Sequence, residues 1–388
     1  MAISAGGHFA CAILSGGTVQ CWGATSAGEL GNGSTTGPDT CVNGPCSTTP
    51  VAVTRLSTGA TAVSAGGYFA CALLSGGPGE CWGNNGDGTF GNGTTSNSPT
   101  PVAASGLTGM TAISASYDFT CGLLTGGTVE CWGANTYGQL GNGTTTSSST
   151  PAAVTGLTGV TSIGAGLDFA CALLSGGTVQ CWGSNGYLQL GNVPGAALGT
   201  CSAEVCGGIG CTTERVSCST TPVALSGLSG VTAISVGYYS ACALLSGGTV
   251  ECWGYNNVGE LGNGTNSSSS TPVAVSGLSG ATAISVGESS ACALLSGGTV
   301  ECWGWNAFGQ LGNGTMTNSS IAVPVTGLTG ATAISVGYYA ACALLSGGTV
   351  QCWGSNVEGE LGIGTTNGPD NCSDAGSTPC STTPVMVQ

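Results

Sequence analysis

The 388-residue chain contains no lysine, and its cationic side chains are Arg55, Arg215 and the single histidine, His8. Against 17 acidic groups this leaves a formal charge of -15. Such a surface repels phosphate backbones and anionic headgroups, so no nucleic-acid partner is expected. Charged residues make up only 5% of the chain, against roughly 25% in an ordinary soluble domain. Ser, Thr, Asn and 73 glycines supply the polarity instead. No stretch of 18 or more apolar residues occurs, so no membrane insertion by a helix is expected. The opening MAISAGGHFACAILSGG has neither the basic nor the apolar region of a signal peptide. Catalysis needs a nucleophile, a base and an electrophilic stabiliser together. One histidine, two arginines and no lysine make a poor stock for it, so neither an enzyme nor a cofactor is expected.

What the chain has in excess is cysteine, 22 in all. That number suits an oxidising compartment, and the expected location is extracellular or at the cell surface, the chain being mature or truncated with its export signal missing. A cytosolic metal-binding protein is the alternative.

Cys-Trp-Gly recurs seven times, at Cys21, Cys81, Cys131, Cys181, Cys252, Cys302 and Cys352. The repeats run approximately 1–53, 54–104, 105–154, 155–225, 226–275, 276–325 and 326–388, with insertions near 37–47, 193–218 and 368–380. All three insertions fall between the same two landmarks, L-G-x-G and T-P-V, which marks a loop on one face. Residues 110–154 show the plainest copy: TAIS, a turn, TCGLL, TGG, TVECWG, a loop, and PAAV. The hydrophobic runs are short, bounded by Gly and rich in Val, Ile, Leu and Thr, so they read as strands, and no window sustains a helical period. Four strands per copy and seven copies predict an all-β, seven-bladed β-propeller over 1–388, because a lone sheet of this composition needs neighbours on both faces.

The hairpin can be tested by pairing arithmetic. A loop over Ser15, Gly16 and Gly17 pairs Leu14 with Thr18, Ile13 with Val19, Ala12 with Gln20 and Cys11 with Cys21. A type I turn with a G1 bulge would put the last Gly at positive φ. The two cysteines then face each other at a non-hydrogen-bonded site, with Cα atoms about 4.5 Å apart, which suits a disulfide. The same C-x9-C spacing predicts Cys71–Cys81, Cys121–Cys131, Cys171–Cys181, Cys242–Cys252, Cys292–Cys302 and Cys342–Cys352. The other cysteines lie in the insertions, and the expected pairs are Cys41–Cys46, Cys372–Cys380 and a nested Cys201–Cys218 around Cys206–Cys211. The nesting follows from Cys46, Cys218 and Cys380, each of which precedes S-T-T-P. Zinc on the four cysteines of the second insertion is disfavoured by the C-x4-C-x4-C-x6-C spacing, and no metal is expected.

The consensus G-x-x-x-x-C-A-L-L-S-G-G-T-V-x-C-W-G-x-N-x-x-G-Q-L-G-N-G-T, followed by T-P-V, resembles the regulator-of-chromosome-condensation repeat across essentially the whole chain. The resemblance implies that family's seven-bladed propeller and not one activity, since its members include a nucleotide exchange factor, secreted inhibitors and bacterial surface proteins. It also implies a histidine three residues before the first Cys of each copy. Here that position reads His8, Tyr68, Asp118, Asp168, Tyr239, Ser289 and Tyr339. With no cationic face either, the chromatin role is set aside.

His8 is read as a structural loop residue. Glu80, Glu130, Glu251 and Glu301 alternate with Gln20, Gln180 and Gln351 before Cys-Trp, and Glu29, Glu260 and Glu360 alternate with Gln139, Gln189 and Gln310 in the G-[EQ]-L-G turn. Charge is therefore dispensable at both positions, which read as solvated and not as acid and base. Aromatics near the first Cys of each copy, including Phe9, Phe69, Phe119 and Phe169, are expected around one mouth of the ring. His8, Tyr68, Tyr117, Asp118, Asp168, Tyr238, Tyr239, Tyr338 and Tyr339 form the candidate binding face there, for a protein or a glycan. Sequons at Asn32, Asn92, Asn142, Asn263, Asn266, Asn313, Asn318 and Asn371 are candidate glycosylation sites, although Asn-Gly turns produce most of them by accident.

Two functional readings follow. The first is a non-enzymatic extracellular scaffold, self-associating into a surface layer or fibre. The second is a secreted binding module or inhibitor that grips a partner with the tyrosine-bearing mouth. Because the chain starts on AIS and stops after TPVMVQ, the first blade should lack a strand, which Pro384–Gln388 would supply by pairing beside Ala2–Ala5 or, in a fibre, in the next molecule.

Overall fold

A computed structural model describes residues 1–191, 198–207, 210–372 and 378–388, with 203–207 and 210–214 as backbone only. Seven antiparallel sheets surround one axis. The third blade has the innermost strand Met110–Ala115, then Phe119–Leu124, Val129–Gly133 and the outermost Ser148–Ala153. Every blade repeats this order with contiguous residues.

The hairpin register is as the sequence predicts, with Ile13 opposite Val19, Ala12 opposite Gln20 and Cys11 opposite Cys21. Gly17 lies at φ 81°, and its N–H donates to the Leu14 carbonyl at 3.1 Å. In the first three blades the preceding glycine is also at positive φ (Gly16, Gly76, Gly126), the mark of a type II turn, whereas the other blades keep only the second glycine there. The seven hairpin disulfides span Cα distances of 4.0–4.1 Å. Cys41–Cys46, Cys201–Cys218 and Cys372–Cys380 also form. The Cys206–Cys211 bond lies outside the described side chains, although the ladder pairs the two residues. Cys201 and Cys218 being bonded together are no metal ligands, and among the described residues no group of three His, Cys, Asp or Glu is placed to hold a metal.

The closure expected at the chain ends is corrected. Pro379–Met386 is the outermost main strand of the seventh blade, pairing with Val350–Ser355, and the first blade is completed by its own Gly44–Ala52. Among the described residues no strand crosses from one end of the chain to the other; the ring closes through the contacts that join all blades. Each tryptophan of the Cys-Trp-Gly motif donates from Nε1 to a carbonyl of the preceding blade, and Trp22 does so to Glu360 O at 2.8 Å, across the closure. Trp82, Trp132, Trp182, Trp253, Trp303 and Trp353 make the same bond at 2.8–2.9 Å. The serine of TAIS forms a second tie: Ser4 Oγ accepts from Ala65 N, and Ser335 Oγ from Ala5 N. At the mouth Tyr338 N–H donates to Gly6 O at 3.2 Å, and a Cβ on Gly337 would strike that carbonyl.

The core lies between blades. The disulfide face of one blade packs against the tryptophan face of the next, as Cys242–Cys252, Leu244 and Leu261 do against Ala291, Ala293 and Trp303. Ile3, Ala12 and Trp22 against Leu344, Cys352 and Leu361 repeat the arrangement at the closure. The insertions extend the outer edge, adding strands Asp39–Cys41, Gly199–Gly207 and Asp370–Asn371 to the first, fourth and seventh blades. No helix long and apolar enough to cross a membrane occurs among the described residues.

Candidate functional site

Two sets of loops build the mouth: the short turn between the first and second strands of each blade, and the longer loop after Cys-Trp-Gly. The longer loop is braced by a buried asparagine. Asn306 Nδ2 donates to the carbonyls of Thr315 and Thr317 at 3.0 Å, while its Oδ1 accepts from Leu311 N at 2.9 Å. Asn85, Asn135, Asn256 and Asn356 do the same in their blades. Side chains carried by these loops therefore stand on a fixed frame.

The alternation of Glu and Gln in the G-[EQ]-L-G turn has a structural explanation. One side-chain oxygen accepts the N–H two residues earlier, from Ala27 to Glu29, Tyr137 to Gln139, Tyr187 to Gln189, Val258 to Glu260, Phe308 to Gln310 and Glu358 to Glu360. Glu and Gln serve equally as that acceptor. The position is not solvated, however: Glu29, Glu260 and Glu360 are buried. Burial pushes all three carboxyls up, Glu360 to about 7, because the charged form loses its water. The position before Cys-Trp differs, with Glu80 buried and Glu130, Glu251 and Glu301 half-buried.

The candidate face comes together as one connected set of rings. His8 lies 6.0 Å from Tyr68 and 5.3 Å from Tyr339, centroid to centroid. Tyr68 meets Tyr117 at 5.4 Å, and Tyr117, Tyr238 and Tyr338 cluster at 5.0–6.2 Å. These three cap a narrow axial cavity of about 80 Å³. Tyr238 continues to Tyr239 at 5.0 Å. Burial raises the phenols of Tyr238, Tyr338 and Tyr339, and those of Tyr117 and Tyr239 to about 12, so these five remain hydrogen-bond donors. Asp118 and Asp168 sit at the base of the mouth loops. Burial, then the charges of Asp168 and Asp87, hold Asp118 well above the usual carboxylate range, and its Oδ1 has no partner. Gln139 Nε2 donates to Asp168 Oδ1 at 3.5 Å.

Phe9, Phe69, Phe119 and Phe169 are not at the mouth. They begin the second strands and are buried between blades. Residues that the sequence reading missed take the mouth positions instead. Tyr187 contacts Tyr239 at 4.5 Å and Tyr255 at 5.2 Å, and Trp305 and Phe308 lie 6.1 and 5.7 Å from Tyr339. The signal was present, since these four occupy the first and last of the three variable positions of C-W-G-x-N-x-x-G, where most other copies carry smaller residues.

Two cavities flank the wall made by Trp305 and Tyr339. One, of about 370 Å³, is lined by His8, Asn43, Phe308, Ser355 and Glu360 as well as that wall. The other, of about 230 Å³, adds Tyr255, Glu260 and Glu288. Asn43 arrives from the first blade's insertion, its N–H donating to Glu358 Oε1 at 3.1 Å. His8 Nδ1 stands 4.0 Å from Glu360 Oε1, the sole ion pair among the described residues when the imidazole is protonated; burial lowers the His8 pKa. Ser355 Oγ donates to Glu360 Oε1 at 3.3 Å. In this order the carboxylate stands between hydroxyl and imidazole, whereas a nucleophilic triad needs the imidazole in the middle.

Among the sequons, Asn32, Asn92, Asn142, Asn263 and Asn313 each accept the N–H two residues on through Oδ1, the Asx turn that explains their Asn-Gly-Ser/Thr sequence. Asn318 Oδ1 accepts from Asn306 N at 2.9 Å. Asn266 is exposed in the loop, and Asn371 is exposed in its two-residue strand.

Comparison with known proteins finds the RCC1-like domain over residues 42–383 and a regulator of chromosome condensation (RCC1) repeat over residues 2–29. Human WBSCR16 superposes with a TM-score of 0.76 at 20% identity, covering 96% of this chain and 94% of that one. Yeast RCC1 (Prp20), solved with Kap60 bound, gives 0.70 at 19% identity over 87% of this chain and 78% of its own. The CRINKLY WD40 ectodomain of the Arabidopsis thaliana receptor kinase ACR4 gives 0.52 at 21%, covering 91% and 93%. At these identities the likeness establishes the fold. No match was found among curated proteins.

Proposed function

The chain belongs to the RCC1-like family, and from that premise we propose that it is a non-enzymatic, extracellular binding module that holds a protein partner in its aromatic mouth. The observation that carries this reading is the continuous set of rings from Phe308 to Tyr255, set on asparagine-braced loops and opening into two cavities. Rigid aromatic side chains give contact area at low entropic cost. The buried disulfides support an oxidising location. A neighbour of the same fold also binds protein: yeast Prp20 was solved with Kap60 bound and was studied for its binding to Gsp1p and histones.

A self-associating scaffold is the second reading, favoured by the three disulfide-stapled insertions, whose added strands present sheet edges at the rim. Sedimentation and surface capture separate the two. Presented with the extracellular proteins of its own source, the native chain should stay a monomeric disc and capture a partner. Tyr68→Ala combined with Tyr239→Ala should abolish capture without changing the melting temperature by more than a few degrees. Concentration-dependent polymers that survive this pair of substitutions would favour the scaffold.

A further inference from the structure

Resting on the reading that the mouth binds a protein, we propose that the cleft walled by Trp305, Phe308 and Tyr339 accepts the ammonium head of a lysine side chain from an extended, basic segment of that partner. The three rings form a corner: Trp305 and Phe308 stand at 87° with centroids 5.3 Å apart, Phe308 and Tyr339 at 85° and 5.7 Å, Trp305 and Tyr339 at 66° and 6.1 Å. Steeply inclined rings turn electron-rich faces towards more than one side of a cavity, which is how aromatic cages attract a cation. The cavity of about 370 Å³ is far larger than a water needs, and the Glu360 carboxyl lies in its lining.

The adjoining cavity shares Trp305 and Tyr339 as its wall and contains Glu260 and Glu288. Glu260 Oε1 and Glu288 Oε2 are buried without hydrogen-bond partners. Unpartnered carboxyl oxygens beside aromatic faces call for a donor that is also a cation. The chain has no lysine of its own to fill either cavity. A neutral sugar would stack on the same rings, yet nothing in it compensates carboxylate charge, and an anion would be repelled by a chain of net charge -15. Side chains two residues apart on an extended segment project to one side at a spacing of roughly 7 Å, enough to straddle the shared wall. A Lys-x-Lys segment is therefore the expected epitope.

The test uses the intact oxidised chain at pH 8, where Glu360 is ionised and lysine still charged, and fluorescence anisotropy with a fluorescein-labelled Gly-Ser-Lys-Ser-Lys-Ser-Gly peptide, beside the same peptide with both lysines acetylated. Acetylation should weaken binding by at least about tenfold, Trp305→Leu by about tenfold, and Glu288→Gln or Glu360→Gln by about fivefold each. Glu301→Gln, next to the hairpin turns of the opposite face, should change nothing. Equal binding of the two peptides, no binding at millimolar concentration, or an equal effect of Glu301→Gln would overturn the proposal, the last by showing diffuse charge attraction. So would a neutral oligosaccharide that binds through Trp305 and ignores Glu288→Gln. If the peptide fails while natural partner capture still depends on Tyr68 and Tyr239, the lysine assignment falls and the mouth reading stands.

Discussion

Replacing Glu360 by glutamine should stabilise the protein, and only above mildly acidic pH. Glu360 lies at the closure between the seventh and first blades, where its backbone carbonyl accepts the Trp22 Nε1 bond and its side chain accepts from Glu358 N–H at 2.8 Å. His8, Ser355, Glu358 and Tyr339 are the polar groups that face it. Burial raises its carboxyl from 4.5 to about 7, so the folded state holds a proton that the unfolded chain has released. Stability from this group is fully present below the unfolded pKa and is lost as pH climbs from about 4.5 towards 7. At 1.36 kcal/mol per pKa unit, the wild type gives up about 3 kcal/mol by pH 8. Glutamine keeps the acceptor oxygen, as Gln139, Gln189 and Gln310 already do in other blades, and carries no charge to desolvate. With an unfolding entropy of about 2.1 cal/mol/K per residue, the gain corresponds to roughly 4 °C in melting temperature. Calorimetry of Glu360→Gln and wild type, disulfides intact, should show matching midpoints at pH 4 and separated ones at pH 8. Equal midpoints at both pH values, or a less stable variant at pH 8, would refute the reasoning.

The C-terminal strand supplies a second test: deleting residues 384–388 should destabilise the ring and leave the oligomeric state unchanged, read by denaturant midpoint and sedimentation, because the strand pairs within the seventh blade and Val385 and Val387 pack into the cluster between the seventh and first blades of the same chain. Replacing the Cys121–Cys131 pair by alanines should lower stability by about 2–3 kcal/mol in chemical denaturation, and melting of the wild type should fall in excess reductant. Leu188 sits at φ 66° where most blades carry glycine; Leu188→Gly should therefore raise stability by about 1 kcal/mol, measured the same way. Trp353→Phe should cost about 2–3 kcal/mol, since it empties volume at a blade interface and leaves the Gln310 carbonyl without its donor.

Periodicity carried most of the fold. Seven Cys-Trp-Gly anchors and a two-residue alternation around a three-residue turn are local features, so strand number, hairpin register and the C-x9-C disulfides could be read directly. The outermost strand could not be placed this way. T-P-V stands only a short G-L-x-G link before the next TAIS, whereas a loop of some fifteen residues separates it from its own third strand. Sequence proximity therefore suggested the wrong neighbour. In the ring that link runs from the outer edge of one blade to the axis of the next, and the long loop is a mouth loop folded back on a buried asparagine. The mouth tyrosines at 68, 239 and 339 were visible because they interrupt a family position, and those at 117, 238 and 338 because they stand beside it, four residues before the first Cys of their copies. Trp305, Phe308, Tyr187 and Tyr255 were missed because which loop faces the axis is a property of the closed ring. The interchange of Glu and Gln correctly showed that charge is unnecessary in the G-[EQ]-L-G turn but hid the burial, since both side chains offer the same oxygen.

The most direct measurement places a photo-crosslinking amino acid at Tyr239, in the mouth, and separately at Ser296, exposed on a hairpin turn of the opposite face. Irradiated among the extracellular proteins of its source, the Tyr239 derivative should yield one discrete heterologous adduct and the Ser296 derivative none. Adducts at Ser296, or adducts at Tyr239 made only of further copies of this chain, would contradict the assignment of the mouth as the partner-binding face.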